Sequence, residues 1–178
     1  MRFLAGMITA VVLLLVAAAA VVVTGSFDVA ATKPPGALEK RLAGIALDRA
    51  VAKRAPDRKN PLAPSPETLA RGMAHYREMC VTCHGAPGVD ASEIGEGLNP
   101  PAPDLTLARI QARSDGELHW IVSNGIRMTG MPAFGPTHKE EEIWKIVAFL
   151  RHLPQLSKEE EKTLGAGGEH GEHGEHDH

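Results

Sequence analysis

The sequence predicts an all-α protein in which an apolar N-terminal helix precedes a small helical domain. Three observations lead to this prediction. An uncharged apolar run extends over residues 3–23. Further along the chain, three segments with helical periodicity each begin at a recognisable capping residue. No segment alternates apolar and polar residues in the way a half-buried strand does.

The apolar run FLAGMITAVVLLLVAAAAVVV is long enough to cross the roughly 30 Å hydrocarbon core of a bilayer as a helix. We therefore expect residues 1–25 to form a transmembrane anchor. A cleaved signal peptide is the alternative, although the apolar region of such peptides is usually only about 7–15 residues long. Basic residues flank the run on both sides, at Arg2 and Lys33, so charge alone does not set its orientation.

The segment over residues 26–64 is basic and has proline clusters at both of its ends. Apolar residues recur in it at roughly helical spacing, namely Leu38, Leu42, Ile45 and Val51. This spacing predicts a short amphipathic helix that lies on the membrane or on the following domain, with a flexible tether as the alternative. The basic charge suits anionic lipid headgroups, with simple solvated charge as the alternative. The following domain and the tail are acidic, so nucleic acid is not an expected partner.

Residues 65–156 are expected to form the compact domain, and its first helix begins at Ser65. Ser65 is a candidate N-cap, and Pro66 stands at the first helical position, where its missing N–H costs no hydrogen bond. After this helix, residues 85–106 are rich in glycine and proline and show no periodicity. A loop of this length in so small a domain needs a further group to pack against.

Two more helices carry a capping-box signature, which is a Ser or Thr followed three residues later by Glu. The first pairs Ser114 with Glu117 and ends at Gly125. The second pairs Thr137 with Glu140 and carries an apolar face.

The C-terminal residues 157–178 contain two basic and seven acidic side chains and end in GGEHGEHGEHDH. We expect a disordered acidic tail with incidental affinity for divalent metals. A metal-handling function is the alternative, because histidine clusters bind copper, nickel or zinc. The candidate ligands are His170, His173, His176 and His178.

The chain has two cysteines, and both occur in the run Cys80-Val-Thr-Cys83-His84. A zinc site needs further ligands at matching spacing, which the sequence does not offer. A thioredoxin-like dithiol needs alternating strands and helices around it, which are also missing. A Cys-x-x-Cys-His run is instead typical of covalent haem attachment, in which both sulfurs bind the porphyrin and the adjacent imidazole binds the iron.

A methionine is the expected second axial ligand on the opposite side of the haem. Two methionines follow the motif, Met128 and Met131. Met131 precedes Pro132, which favours an extended backbone at residue 131 and stiffens the loop. We therefore predict that His84 and Met131 are the iron ligands, with Met128 as the alternative.

The order GMAHYREMCVTCHG, NPPAPDLT, DGELHWIVSNG, GMPAFG and EEIWKIVAFLRHLP resembles the bacterial class I monohaem cytochromes c over residues 66–154. This resemblance implies a fold of three main helices, with long loops wrapped around one covalently bound haem c. It implies that Gly72 and Tyr76 pack against an aromatic residue of the last helix, either Phe149 or Trp144.

The resemblance also implies that a proline carbonyl accepts the ring N–H of the proximal histidine, and Pro100, Pro101 and Pro103 are all candidates. Trp120 and Arg127 are candidates for donating hydrogen bonds to the haem propionates. The alternative for Trp120 is a core position, and the alternative for Arg127 is a solvated one.

The ligand set predicts a single-electron carrier and not an enzyme, and the apolar run predicts that it is tethered to a membrane. The resemblance implies that this is the bacterial inner membrane with the domain in the periplasm, because haem is attached on that side in the family. The expected partners are a redox donor and acceptor, such as membrane respiratory enzymes, and the carrier is either a tethered shuttle or a complex subunit. A haem protein with an open distal site, for gas binding or small-molecule redox catalysis, is the alternative.

Overall fold

The structure is a computed structural model, and it describes residues 2–26 and 28–166. In this part of the chain it contains α-helices and no β-strand, apart from an isolated bridge between Ala86 and Val89. The predicted all-α class is confirmed. The helices are α1 (Arg2–Val23), α2 (Ala37–Arg54), α3 (Pro66–Met79), α4 (Val81–His84), α5 (Glu93–Glu96), α6 (Ala108–Gln111), α7 (Asp115–Asn124), α8 (Glu140–His152) and α9 (Lys158–Gly165), with a 3₁₀ turn at Leu153–Gln155.

The chain divides into two compact units, one ending at Lys33 and the other beginning at Pro34. The first unit contains α1, a helix of 22 residues. At about 1.5 Å rise per residue, this helix is about 33 Å long. Its length and composition are sufficient for crossing a bilayer. The helix therefore fits the predicted single membrane anchor.

The second unit is built around the contact of α3 with α8. Gly72 lies where the two helices meet, and a Cβ at this position would lie 2.2 Å from the carbonyl oxygen of Lys145 and 2.8 Å from Cβ of Phe149. One turn later, the buried Tyr76 ring packs against Phe149 with ring centroids 5.4 Å apart. The expected packing of Gly72 and Tyr76 is confirmed, and Phe149 is the aromatic partner.

A second apolar cluster joins α7 to α8. Its buried members are Leu118, Trp144 and Val147. The Trp144 ring stacks on His119 with a centroid distance of 4.1 Å, and the Arg58 guanidinium lies 5.0 Å from the centroid of the same ring. Trp144 therefore belongs to this second cluster and not to the contact between α3 and α8.

Two of the three predicted helix starts are confirmed. The Ser65 side chain accepts a hydrogen bond from the N–H of Thr68, and Pro66 is the first residue of α3. Ser114 and Glu117 form the predicted capping box at the start of α7, each accepting a hydrogen bond from the backbone N–H of the other.

The predicted capping box of Thr137 and Glu140 is wrong. Helix α8 begins at Glu140, and the N–H of Lys139 donates to the carboxylate of Glu142 at 2.7 Å. The N–H and the hydroxyl of Thr137 both donate to the carbonyl of Phe134, at 3.0 and 3.2 Å. Thr137 therefore forms a separate turn, and this local hydrogen bonding competes with a capping role.

Part of the segment expected to be a linker packs on the domain. Val51 of α2 is fully buried, and Leu62 packs against the second apolar cluster. Between them, Asn60 donates its backbone N–H to the Asp115 carboxylate at 2.9 Å and its side-chain amide to the Trp144 carbonyl at 2.8 Å. These contacts attach the segment to α7 and α8.

Helix α9 lies within residues 157–178, where the sequence predicts a disordered tail. Ser157 and Glu160 form a capping box at its start. Leu164 is fully buried in the apolar cluster that also contains Tyr76 and Phe149. A capping signature and one core contact are therefore sufficient to order this short helix, which corrects the expectation for its residues. Residues 167–178, which include the four candidate metal-binding histidines, lie outside the described residues.

Replacing Gly72 with Ala is expected to lower the free energy of unfolding by about 1–3 kcal/mol, because the added methyl group overlaps backbone atoms of α8. Gly44→Ala in α2 is the matched control, since no atom lies within 4 Å of a Cβ at that position. Helix propensity there favours Ala by up to about 1 kcal/mol. Denaturant unfolding measures both variants, and a Gly72→Ala protein as stable as the parent would contradict the packing.

The Asp115 carboxylate connects Asn60 to Arg151 of α8, whose Nε donates to it at 2.8 Å. Burial raises the pKa of Asp115, but the hydrogen bonds from Asn60 and Arg151 outweigh burial and hold this pKa below its ordinary value. The charged form is therefore stabilised in the folded protein. Its contribution is present above the ordinary carboxyl pKa of about 3.9 and is lost as pH falls through the lower folded pKa.

We expect Asp115→Asn to lower the free energy of unfolding at pH 7 by about 1–3 kcal/mol. The difference between variant and parent should start to shrink below about pH 4, where Asp115 of the unfolded chain becomes protonated, and should be smallest below the lowered pKa of Asp115 in the folded parent. Unfolding curves recorded across this pH range measure both effects. Asp57→Asn, at an exposed position of the same segment, is the control. A difference that is independent of pH would contradict the electrostatic contribution.

Candidate haem site

The residues predicted to bind haem covalently and through its iron line one apolar cavity. Its volume is about 500 Å³, within the range of about 300–1,000 Å³ that is common for cofactor sites. Cys80, Cys83 and His84 reach it from the junction of α3 and α4, and Met131 reaches it from the loop between α7 and α8. Apolar wall residues include Leu98, Leu105, Ile121, Val122, Ile146 and Leu150.

A single helical turn holds the Cys-x-x-Cys-His run in place. Cys80 follows the last residue of α3, and the N–H of His84 donates to the Cys80 carbonyl at 2.9 Å. Gly85 ends the turn with a φ of 59°. A Cβ on Gly85 would lie 2.6 Å from the Val89 carbonyl oxygen. Both the positive φ and the close contact require glycine directly after His84.

The ring of His84 is oriented by a hydrogen bond to Pro103. Its Nδ1 lies 2.8 Å from the Pro103 carbonyl oxygen. Since a carbonyl only accepts, Nδ1 carries the proton and Nε2 keeps a lone pair for a metal. Burial lowers the pKa of His84, and the bond to Pro103 opposes this shift in part. Among the three candidate prolines, Pro103 is the one that makes the contact.

The two methionines after the motif differ sharply in their surroundings. Met131 is half-buried in the cavity wall, and its N–H donates to the Thr129 hydroxyl at 3.1 Å. The Met131 carbonyl accepts a hydrogen bond from the N–H of Ile126 at 3.2 Å. Met128 is 89% exposed and has a φ of 64°. The turn thus holds Met131 at the cavity and Met128 in solvent.

Cys80 and Cys83 do not form a disulfide with each other. Burial raises the pKa of the Cys80 thiol to about 12, and the nearby Cys83 adds to this shift. A thiol with such a pKa is protonated at neutral pH, which makes it a poor redox nucleophile. Within residues 2–26 and 28–166, no group of three or more His, Cys, Asp or Glu side chains is placed to hold a metal ion. The surroundings of Cys80 therefore do not favour a redox dithiol.

Comparison with known families gives a match over residues 67–150, to the family described as cytochrome c oxidase, cbb3-type, subunit III. This part of the chain is a monohaem c-type cytochrome domain. It carries covalently bound haem c and takes part in electron transfer. The description of the matching family suggests redox partners in respiratory complexes. The donor set and the apolar wall of the cavity fit such a haem. A comparison with curated proteins gave no match.

Neither Trp120 nor Arg127 is part of the cavity wall of the cytochrome domain. The α7 residues that line the cavity are Leu118, Ile121 and Val122. Trp120 is two residues from Leu118 and from Val122, so it projects from a different face of the helix. Arg127 is exposed. The predicted propionate contacts of Trp120 and Arg127 therefore have no support in the geometry of the site.

Two other arginines, Arg109 and Arg113, line the cavity. The Arg113 guanidinium donates to the carboxylate of Asp48 in α2 and lies 3.9 Å from Glu117 Oε1. Leu47 of α2 is also part of the wall. No local pattern marks these residues, because the contact between Arg113 and Asp48 joins positions 65 residues apart. Both arginines are suited to bind the propionates of the haem.

Replacing Arg113 with Ala is expected to lower the reduction potential of the cytochrome domain. A nearby positive charge favours the reduced haem, and losing about 1 kcal/mol of this interaction corresponds to about 40 mV for one electron. Arg127→Ala removes the same charge from an exposed position outside the cavity and is the matched control. Redox titration measures both variants, and equal shifts would contradict the assignment of Arg113 to the haem.

Proposed function

We propose that this protein is a membrane-tethered carrier of single electrons with a His/Met-ligated haem. Cys80 and Cys83 hold the haem covalently, and His84 and Met131 provide the two axial ligands. One observation carries the proposal: two segments far apart in sequence bring these four side chains to the wall of one apolar cavity.

The chemistry of the ligand set favours electron transfer over catalysis. The bound haem supplies a one-electron redox couple. With imidazole and thioether groups at both axial positions, no open position is left for a substrate. Pro103 fixes the tautomer of His84, as outer partners of metal ligands commonly do. Methionine ligation raises the reduction potential relative to ligation by a second histidine.

The apolar wall limits the access of water to the haem. Low polarity around a redox centre influences its potential, because it disfavours the more highly charged oxidised form. Arg109 and Arg113 are the cationic side chains of the wall, and Asp104 is its acidic one. The two guanidinium groups suit the propionates of the haem.

Helix α1 supports the tethered form of the proposal, because its length and composition fit a single membrane span. We place the cytochrome domain on the periplasmic side of the bacterial inner membrane. We also propose membrane respiratory enzymes as its donor and acceptor. The description of the matching family, which names an oxidase subunit, supports this choice of partners.

The test of the ligand set compares Met131→Ala with Met128→Ala. Ferric haem bound by a thioether sulfur shows a weak long-wavelength absorption band. This band should be present in the parent protein, lost in Met131→Ala, and retained in Met128→Ala, because Met128 is 89% exposed and outside the cavity wall. A band that survives Met131→Ala would contradict the proposed sixth ligand.

The control for haem attachment is the mass of the protein made in a host that assembles c-type cytochromes. Both methionine variants should carry one haem on the peptide that contains Cys80 and Cys83, since neither substitution touches the thioether positions. Unmodified cysteines in the parent protein would contradict the attachment assigned to these two residues.

A further inference from the structure

Helix α2 has two apolar faces, and the domain covers only one of them. Leu47 lines the haem cavity and Val51 is fully buried, so these side chains face the domain. Leu38, Leu42 and Ile45 are 70%, 58% and 51% exposed. Their spacing of four and three residues aligns them along one side of the helix, and Leu47, nine residues after Leu38, lies opposite.

Basic side chains extend and border the exposed apolar stripe. Arg49 and Lys53 follow Ile45 at intervals of four residues, so they continue the same side of the helix. Arg41 lies beside Leu42 at the edge of the stripe. All three basic residues are exposed. We call Leu38, Leu42, Ile45, Arg41, Arg49 and Lys53 the outer face of α2.

A lipid surface is within reach of this face whenever α1 spans the bilayer. Thirteen residues, 24–36, separate the end of α1 from the start of α2. Fully extended, they bridge at most about 45 Å. Interfacial helices bind anionic membranes through apolar side chains that enter the lipid boundary and through Lys and Arg side chains that contact the headgroups. The outer face of α2 offers both kinds of side chain.

We propose that the outer face of α2 binds the anionic lipid surface next to the anchor. Leu38, Leu42 and Ile45 enter the boundary between headgroups and acyl chains, and the basic side chains contact lipid phosphates. The inference rests on the proposed function only in requiring that α1 is retained as an anchor. Since α2 also provides Leu47 to the cavity wall and Asp48 to Arg113, the α2 edge of the cytochrome domain then faces the bilayer.

The experiment uses the full-length, haem-loaded chain in lipid nanodiscs. Its two cysteines are bonded to the haem, so Leu42→Cys introduces a single reactive thiol on the outer face. Ala43→Cys is the matched control, because Ala43 is exposed on the same helix but projects about 100° away from Leu42. The measurement is the rate of reaction with a membrane-impermeant maleimide, in discs of phosphatidylcholine alone or with added phosphatidylglycerol.

We expect Leu42→Cys to react about tenfold more slowly in discs that contain phosphatidylglycerol, whereas Ala43→Cys should change little. Adding Arg41→Glu, Arg49→Glu and Lys53→Glu should restore the fast rate. Equal rates for Leu42→Cys in both kinds of disc would overturn the inference. Protection that appears only after membrane enzymes are added would also overturn it, because a protein would then cover the face.

Two further measurements separate this inference from the proposed function. An intact mass lacking the anchor would contradict lipid binding, since α2 would no longer be held at the membrane. A parent protein without the long-wavelength band would overturn the His/Met carrier but leave the labelling result standing. Slow labelling together with a normal spectrum supports both proposals, and fast labelling with a normal spectrum overturns only the lipid contact.

Discussion

The contact between Gly72 and the backbone of α8 at Lys145 is the constraint on which the haem cavity depends. It brings α3 close enough for Tyr76 to reach the core, where burial raises the pKa of its hydroxyl and keeps it protonated. That hydroxyl donates to the Gly85 carbonyl at 2.6 Å. Gly85 directly follows His84, so the helix contact is transmitted to the position of the proximal histidine.

The long irregular loop after His84 is ordered by its contacts with the motif turn. The Ser92 hydroxyl donates to the Thr82 carbonyl at 2.9 Å, and Pro103 accepts from His84 further along. Gly95 fits against the same turn, since a Cβ there would lie 2.6 Å from the Thr82 carbonyl oxygen. The loop therefore needs no strand or long helix of its own, because the turn and the cofactor cavity provide the surfaces on which it packs.

Helix starts depend on residues that are close in the sequence, and most of them could be predicted from it. The capping box at Ser114 depends on neighbours three residues away, and it is observed. The capping box expected at Thr137 failed because a turn to a preceding carbonyl used the same side chain. Leu47 and Arg113 were not predicted, since their place at the cavity comes from the packing of α2 against α7. Such tertiary contacts leave no periodic pattern in a single sequence.

Helix α7 packs closely against the segment that precedes α3. This contact limits how the cytochrome can be prepared without its membrane helix. A Cβ on Gly116 would come within 1.9 Å of the Pro56 carbonyl oxygen, which shows how closely the two segments fit. A water-soluble fragment cut at the start of the family match would lose this neighbour and the side of the cavity formed by α2. The natural place to divide the chain is near Pro34, where the second compact unit begins.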